Sequence, residues 1–226
     1  MKIKIFFLLY FLCLSIYSQQ FRTTSAIADL DQYYNNNGVA VADYDQDGDL
    51  DIFLVSYHGG NNNSRLLENT NNGNFIDVTA ATGINQNLNH EIDLPSGFYF
   101  GDRLSASWGD FNNDGYPDLF LGNSVQSELY KNNGDGSFAN ITESAGFQVS
   151  CDSCYITGAL WLDYDLDGLL DIFLSDYYSD SPNKLYRNLG NETFELIDLS
   201  SVIENANSFS AINMYVNEDA YPDIYI

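Results

Sequence analysis

Short apolar runs, rich in aromatic and β-branched residues and bounded by Gly, Asn or Asp, recur along this chain. Runs of that length and composition predict strands. No stretch between them is both long and periodic enough to predict a helix. In the region after residue 100 the predicted strands lie near 104–109, 118–122, 127–132 and 137–142. Tyr (17) and Phe (15) supply much of the apolar content, which favours strands further.

The runs repeat. VADYDQDGDLDIFL (41–54), SWGDFNNDGYPDLFL (107–121), LWLDYDLDGLLDIFL (160–174) and INMYVNEDAYPDIYI (212–226) align, with first loop positions at Asp43, Asp110, Asp163 and Tyr215, spaced by 67, 53 and 52 residues. A second element follows in phase: RLLENTNNGNF (65–75), SELYKNNGDGSF (127–138) and NKLYRNLGNETF (183–194), each continuing as a strand-like run. Four strands per unit, A to D, at a period near 50 residues describe the blade of a β-propeller. The predicted units lie near 38–84, 104–147, 157–203 and 209–226. Residues 21–30 look like a further D strand, and the sequence stops inside strand B of the fourth unit. A partial ring of about three full blades plus parts of another, C-terminally truncated, is therefore expected. A four-bladed ring would need its last blade to lack strand C.

The turn between strands A and B carries the chemistry. The first reads Asp43, Asp45, Asp47, Gly48, Asp49, Asp51; the second Asp110, Asn112, Asp114, Gly115, Tyr116, Asp118; the third Asp163, Asp165, Asp167, Gly168, Leu169, Asp171. Oxygen donors at positions 1, 3 and 5, with Gly at 6, suit a hard cation, because alternate side chains of a coiled loop point inward. Position 7 (Asp49, Tyr116, Leu169) would offer a backbone carbonyl, and position 9 closes the shell with a carboxylate. Three Ca2+ sites are expected. An EF-hand would need Glu at position 12 and flanking helices; here Leu54, Leu121 and Leu174 stand at position 12, between strands. A single such loop would be read as a solvated Asp/Gly turn; three in phase carry the metal reading. The fourth loop keeps Asn217, Asp219 and Asp223 but has Tyr215 at position 1 and Ala220 at position 6, so weak binding or none is expected there.

The net charge of −24, from 32 acidic and 8 basic residues, argues against nucleic-acid and anionic membrane partners. Lys2, Lys4 and the apolar run from Ile5 to Ile16 read as a secretory signal peptide, residues 1–18, leaving 19–226 as the repeat region. The run is too short to span a bilayer, and no membrane insertion is expected. Cys13 follows Leu12, which is too large for the usual lipobox. Secretion makes a local disulfide the better reading of Cys151 and Cys154 than a zinc or redox site.

These motifs resemble FG-GAP/VCBS repeats, the calcium-loop blades of the integrin α-subunit head. The pairing of DxDxDGxxD with LYxNxGxGxF resembles bacterial secreted proteins related to cartilage acidic protein. The resemblance covers about 38 to 226. It implies a propeller, usually seven-bladed, with calcium in the A–B hairpins, serving adhesion, ligand binding or scaffolding.

In such a ring the A–B and C–D loops share one face, and the B–C and D–A loops share the other. That second face carries Tyr57, His58, Tyr177, Tyr178 and the 84–104 connection with His90, Glu91, Phe98, Tyr99 and Phe100. Its aromatics either bind an extracellular glycan or protein or pack the loops onto the scaffold. The chain has no G-x-S-x-G, P-loop or His-based triad candidate. A non-catalytic module is the expectation. The alternative is the scaffold portion of an extracellular glycan-active enzyme, for which Glu91 and Asp93 beside His90 are the one unexplained cluster. A third reading is a spacer between other domains.

Overall fold

The structure, a computed structural model, describes residues 36–56, 64–70, 73–84, 103–124, 127–147, 154–177, 182–202 and 207–226. Regular structure among them is entirely strand. The first unit comprises β1 (Asn36–Ala42), β2 (Asp51–Ser56), β3 (Arg65–Asn69) and β4 (Phe75–Asp77). The second comprises β5 (Arg103–Gly109), β6 (Asp118–Asn123), β7 (Glu128–Asn132) and β8 (Phe138–Asn140). The third comprises β9 (Ile156–Leu162), β10 (Asp171–Asp176), β11 (Lys184–Asn188) and β12 (Phe194–Ile197). β13 (Ile212–Met214) and β14 (Asp223–Tyr225) follow.

Each of the first three units is one four-stranded antiparallel meander, and β13–β14 form a two-stranded sheet. The expected all-β partial propeller is the observed fold. The A strands line up side by side: β1 packs on β5, β5 on β9, and β9 on β13.

Blade packing explains the sequence of the B strands. A strand between two blades buries both faces, so it reads as a continuous apolar run rather than an alternation. All of β6 and all of β10 are buried. In β6, Leu119 and Leu121 join Phe53 and Leu66 of the first blade, while Phe120 joins Ile172 and Tyr186 of the third. In β10, Ile172 and Leu174 face the second blade and Phe173 faces the fourth unit, beside Ile224. β2 alternates instead, with Ile52 and Leu54 only half-buried. Close approach of neighbouring blades also fixes Gly122, where a Cβ would lie 2.4 Å from the Ile156 carbonyl oxygen.

The D strands are shorter than the sequence suggests. The run near 137–142 is a strand only over Phe138–Asn140. Asn140 Oδ1 then accepts the Thr142 amide at 3.1 Å and its hydroxyl at 2.7 Å, and Asp77 does the same for Thr79. Such local side-chain bonds compete with the strand ladder and end it in a turn. The freed Thr142 Oγ1 accepts the Leu129 amide of strand C. From these turns the chain reaches the next blade: Phe138 N donates to Thr82 O at 2.7 Å and Phe194 N to Ala145 O at 2.8 Å.

A candidate metal centre in three acidic loops

The first three A–B loops share one backbone. Position 4 is left-handed in each (Gln46 φ 61°, Asn113 φ 57°, Leu166 φ 63°), as is the glycine at position 6 (Gly48 95°, Gly115 93°, Gly168 89°). A Cβ on Gly48 or Gly168 would meet nothing within 4 Å, so conformation and not space requires glycine there. The position-1 carboxylate accepts the glycine amide: Asp43 from Gly48 (3.1 Å), Asp110 from Gly115 (2.9 Å) and Asp163 from Gly168 (2.9 Å). The position-5 carboxylate accepts the position-7 amide, linking Asp47 to Asp49, Asp114 to Tyr116 and Asp167 to Leu169.

This coiling gathers the acids. Ligand oxygens of Asp43, Asp45 and Asp47 lie within 4.8 Å of one another, as do those of Asp163, Asp165 and Asp171. In the second loop Asn112 donates to Asp114 Oδ2 at 2.8 Å, and the Asp114 amide donates to both Asp110 and Asn112. Asp43 Oδ1 and Asp165 Oδ1 are buried without a hydrogen-bond partner. Buried carboxylate oxygens without a donor, on residues gathered with other carboxylates, are what a cation would satisfy, so the residues fit a metal ion. In the fourth loop neither Glu218 nor Ala220 is left-handed, and Tyr215 offers no carboxylate. Asn217 and Asp223 there bond each other at 3.3 Å.

The position-9 aspartates are fully buried and tie the loop to strand C. One oxygen accepts the position-2 amide and the other the amide of the asparagine ending strand C. Asp51 takes Tyr44 (3.1 Å) and Asn69 (2.8 Å), Asp118 takes Phe111 (3.1 Å) and Asn132 (2.8 Å), and Asp171 takes Tyr164 (3.0 Å) and Asn188 (2.7 Å). Burial pushes these carboxyls up to about 6, 7 and 6, although the amide bonds pull the other way.

Sequence reasoning missed those asparagines. Asn132 Nδ2 donates to the Pro117 carbonyl of its own loop (3.1 Å) and to the Tyr44 carbonyl of the preceding loop (2.8 Å). Asn188 Nδ2 does the same with Leu170 (3.1 Å) and Phe111 (2.8 Å). The signal was present, since Asn stands at this place in all three copies of the second element. Position 4 adds a further link: Gln46 donates to the Gly115 carbonyl and Asn113 to the Gly168 carbonyl, each in the next loop.

Of the opposite-face residues, Tyr177 is described. Its ring packs on Phe209 of the next unit at 4.2 Å, and the two are 43% and 65% exposed. Cys154 is buried and disulfide-bonded. Residues 1–18, the D-like strand at 21–30, Tyr57, His58, His90, Glu91, Asp93, Phe98, Tyr99, Phe100, Cys151 and Tyr178 lie outside the described residues. Among the described residues no helix is long and apolar enough to cross a membrane.

Mouse and human cartilage acidic protein 1 are each 27% identical over 169 residues, 74% of this chain, and the Xenopus tropicalis protein is 25% identical over 161 residues. The chain spans 24% of the mouse protein and 23% of the human one, about a quarter of either. A solved structure of an Agrocybe aegerita lectin, described as recognising non-reducing terminal N-acetylglucosamine, aligns with 83% of this chain and 45% of its own. Its TM-score is 0.46 at 16% identity. The FG-GAP-like repeat model matches residues 110–174 and 163–226, together just over half of the sequence. With three in-phase acidic hairpins on successive four-stranded blades, the chain belongs to the FG-GAP-like repeat family.

Proposed function

We propose that this chain is a calcium-binding, extracellular, non-catalytic propeller module used for adhesion, ligand binding or scaffolding. One observation carries the calcium reading: the first and third loops each gather three carboxylates, and buried oxygens of Asp43 and Asp165 in them have no hydrogen-bond partner. The ligand set is Asp43, Asp45, Asp47, Asp49 and Asp51; Asp110, Asn112, Asp114, Tyr116 and Asp118; and Asp163, Asp165, Asp167, Leu169 and Asp171, with position 7 acting through its carbonyl. An all-oxygen set with several carboxylates suits calcium better than softer ions. The extracellular placement is supported by the leader-like residues 1–18, and extracellular sites of about 10⁻⁴–10⁻³ M affinity stay filled there. The Tyr177–Phe209 pair offers a glycan or protein partner an exposed aromatic surface on the face away from the loops.

The test is to dialyse the full chain against calcium and count bound ions by mass spectrometry of the native protein. About three per chain are expected, falling by one in Asp43→Ala, which removes the position-1 carboxylate that all three intact loops share. A folded chain that retains no calcium would sink the proposal.

A further inference from the structure

The three loops are equivalent in backbone but not in the charge that strand C brings to them. The residue before the strand-C asparagine is Glu68 in the first blade, Lys131 in the second and Arg187 in the third. Glu68 lies against the first loop, its Oε2 accepting the Tyr44 hydroxyl at 3.0 Å. Its negative charge is felt by Asp45, the position-3 carboxylate of that loop. Arg187 reaches into the third loop, with Nη2 2.7 Å from Asp165 Oδ2 and 3.5 Å from Asp167 Oδ2. Those are the position-3 and position-5 carboxylates. Lys131 pairs instead with Glu192 of the third blade, across a cleft of about 350 Å³ lined by Asn112, Asp114 and Asn191.

We propose that the residue before the strand-C asparagine grades the calcium affinity of the loops: Glu68 strengthens the first site, and Arg187 weakens the third by competing with the ion for Asp165 and Asp167. The proposal rests on the calcium reading above. An ion entering the third loop must share two carboxylates with a guanidinium already placed on them, whereas the first loop gains an extra negative charge. Arg187 also neutralises part of the third loop when no ion is bound. That loop therefore keeps its shape in chelator better than the first.

The amides of Gly48, Gly115 and Gly168 report the loops one by one. A calcium titration of the full isotope-labelled chain, followed by the ¹H–¹⁵N correlations of these glycines, gives three separate midpoints. The Gly48 midpoint should fall at lower calcium than that of Gly168. Arg187→Gln should move the Gly168 midpoint to lower calcium by about three- to fivefold and leave Gly48 in place. Glu68→Gln should move the Gly48 midpoint to higher calcium by about two- to fivefold. A wild-type order with Gly168 first overturns the proposal without any variant, as does a Gly168 midpoint that Arg187→Gln leaves unchanged or raises. If the glycine amides do not respond to calcium at all, the calcium reading itself falls, and the grading with it.

Discussion

At the scale of single residues, the acidic loops place strict backbone demands on two positions and leave the rest to chemistry. Position 6 is glycine in the three intact loops because φ there is near +90°. Position 4 is left-handed as well, yet it holds Gln46, Asn113 and Leu166. Asn tolerates this region best among non-glycine residues, and a side chain such as leucine pays a local conformational penalty. Leu166 is also 46% exposed, so it contributes little packing in return. Leu166→Asn should therefore raise stability by about 0.5–1 kcal/mol, read as a shift in urea midpoint at constant slope. A lower midpoint would show that the leucine side chain contributes through packing. Gly48 and its equivalents were legible in the sequence because a Gly recurs after alternating acids. The left-handed position 4 was not, because Gln, Asn and Leu share no sequence signal.

At the scale of the blade, the strand-C asparagine is the joint that makes one unit continuous with the next. Asn132 is almost fully buried. Its amide group bonds two carbonyls from two different loops, and its Oδ1 accepts the Gly134 amide at 3.0 Å. Removing it leaves those buried groups unsatisfied. Asn132→Ala should cost roughly 2–3 kcal/mol in chemical denaturation, while an exposed neighbour such as Asn133→Ala should change stability by less than about 0.5 kcal/mol. Equal effects at the two positions would contradict the assignment of Asn132 as the joint. The strands themselves were readable, since β5, β6 and β7 fall within a residue of the runs that predict them. Strand D was overextended by the sequence, because Asp77 and Asn140 look like ordinary strand-edge residues until their bonds to Thr79 and Thr142 end the ladder.

At the scale of the whole molecule, the governing quantity is the excess of negative charge and where it is held. Three buried aspartates have carboxyls raised from the ordinary range to about 6 or 7 by burial. A carboxyl whose folded value lies above its unfolded value near 3.8 stabilises the fold fully below 3.8 and loses that contribution as pH rises through the folded value. The calcium-free chain should consequently melt at higher temperature at pH 5 than at pH 7.5. Calcium bound as proposed would hold the same groups ionised, so adding it should flatten or reverse that trend. A calcium-free melting temperature that falls from pH 7.5 to pH 5 would contradict this account. Three loops with their acids in phase made the candidate site visible in the sequence. The interblade bonds that support it were not, because they join residues such as Tyr44 and Asn132, which lie far apart along the chain.

The most direct test is a thermal melt of the chain in millimolar calcium and in chelator at neutral pH. With calcium at ten times the dissociation constant each site adds about 1.4 kcal/mol, and three add about 4 kcal/mol. For a chain of this size that corresponds to a rise of roughly 8–16 °C in melting temperature. Identical melts in calcium and chelator, with strand-type circular dichroism intact in both, would mean that the acidic hairpins are ordinary turns.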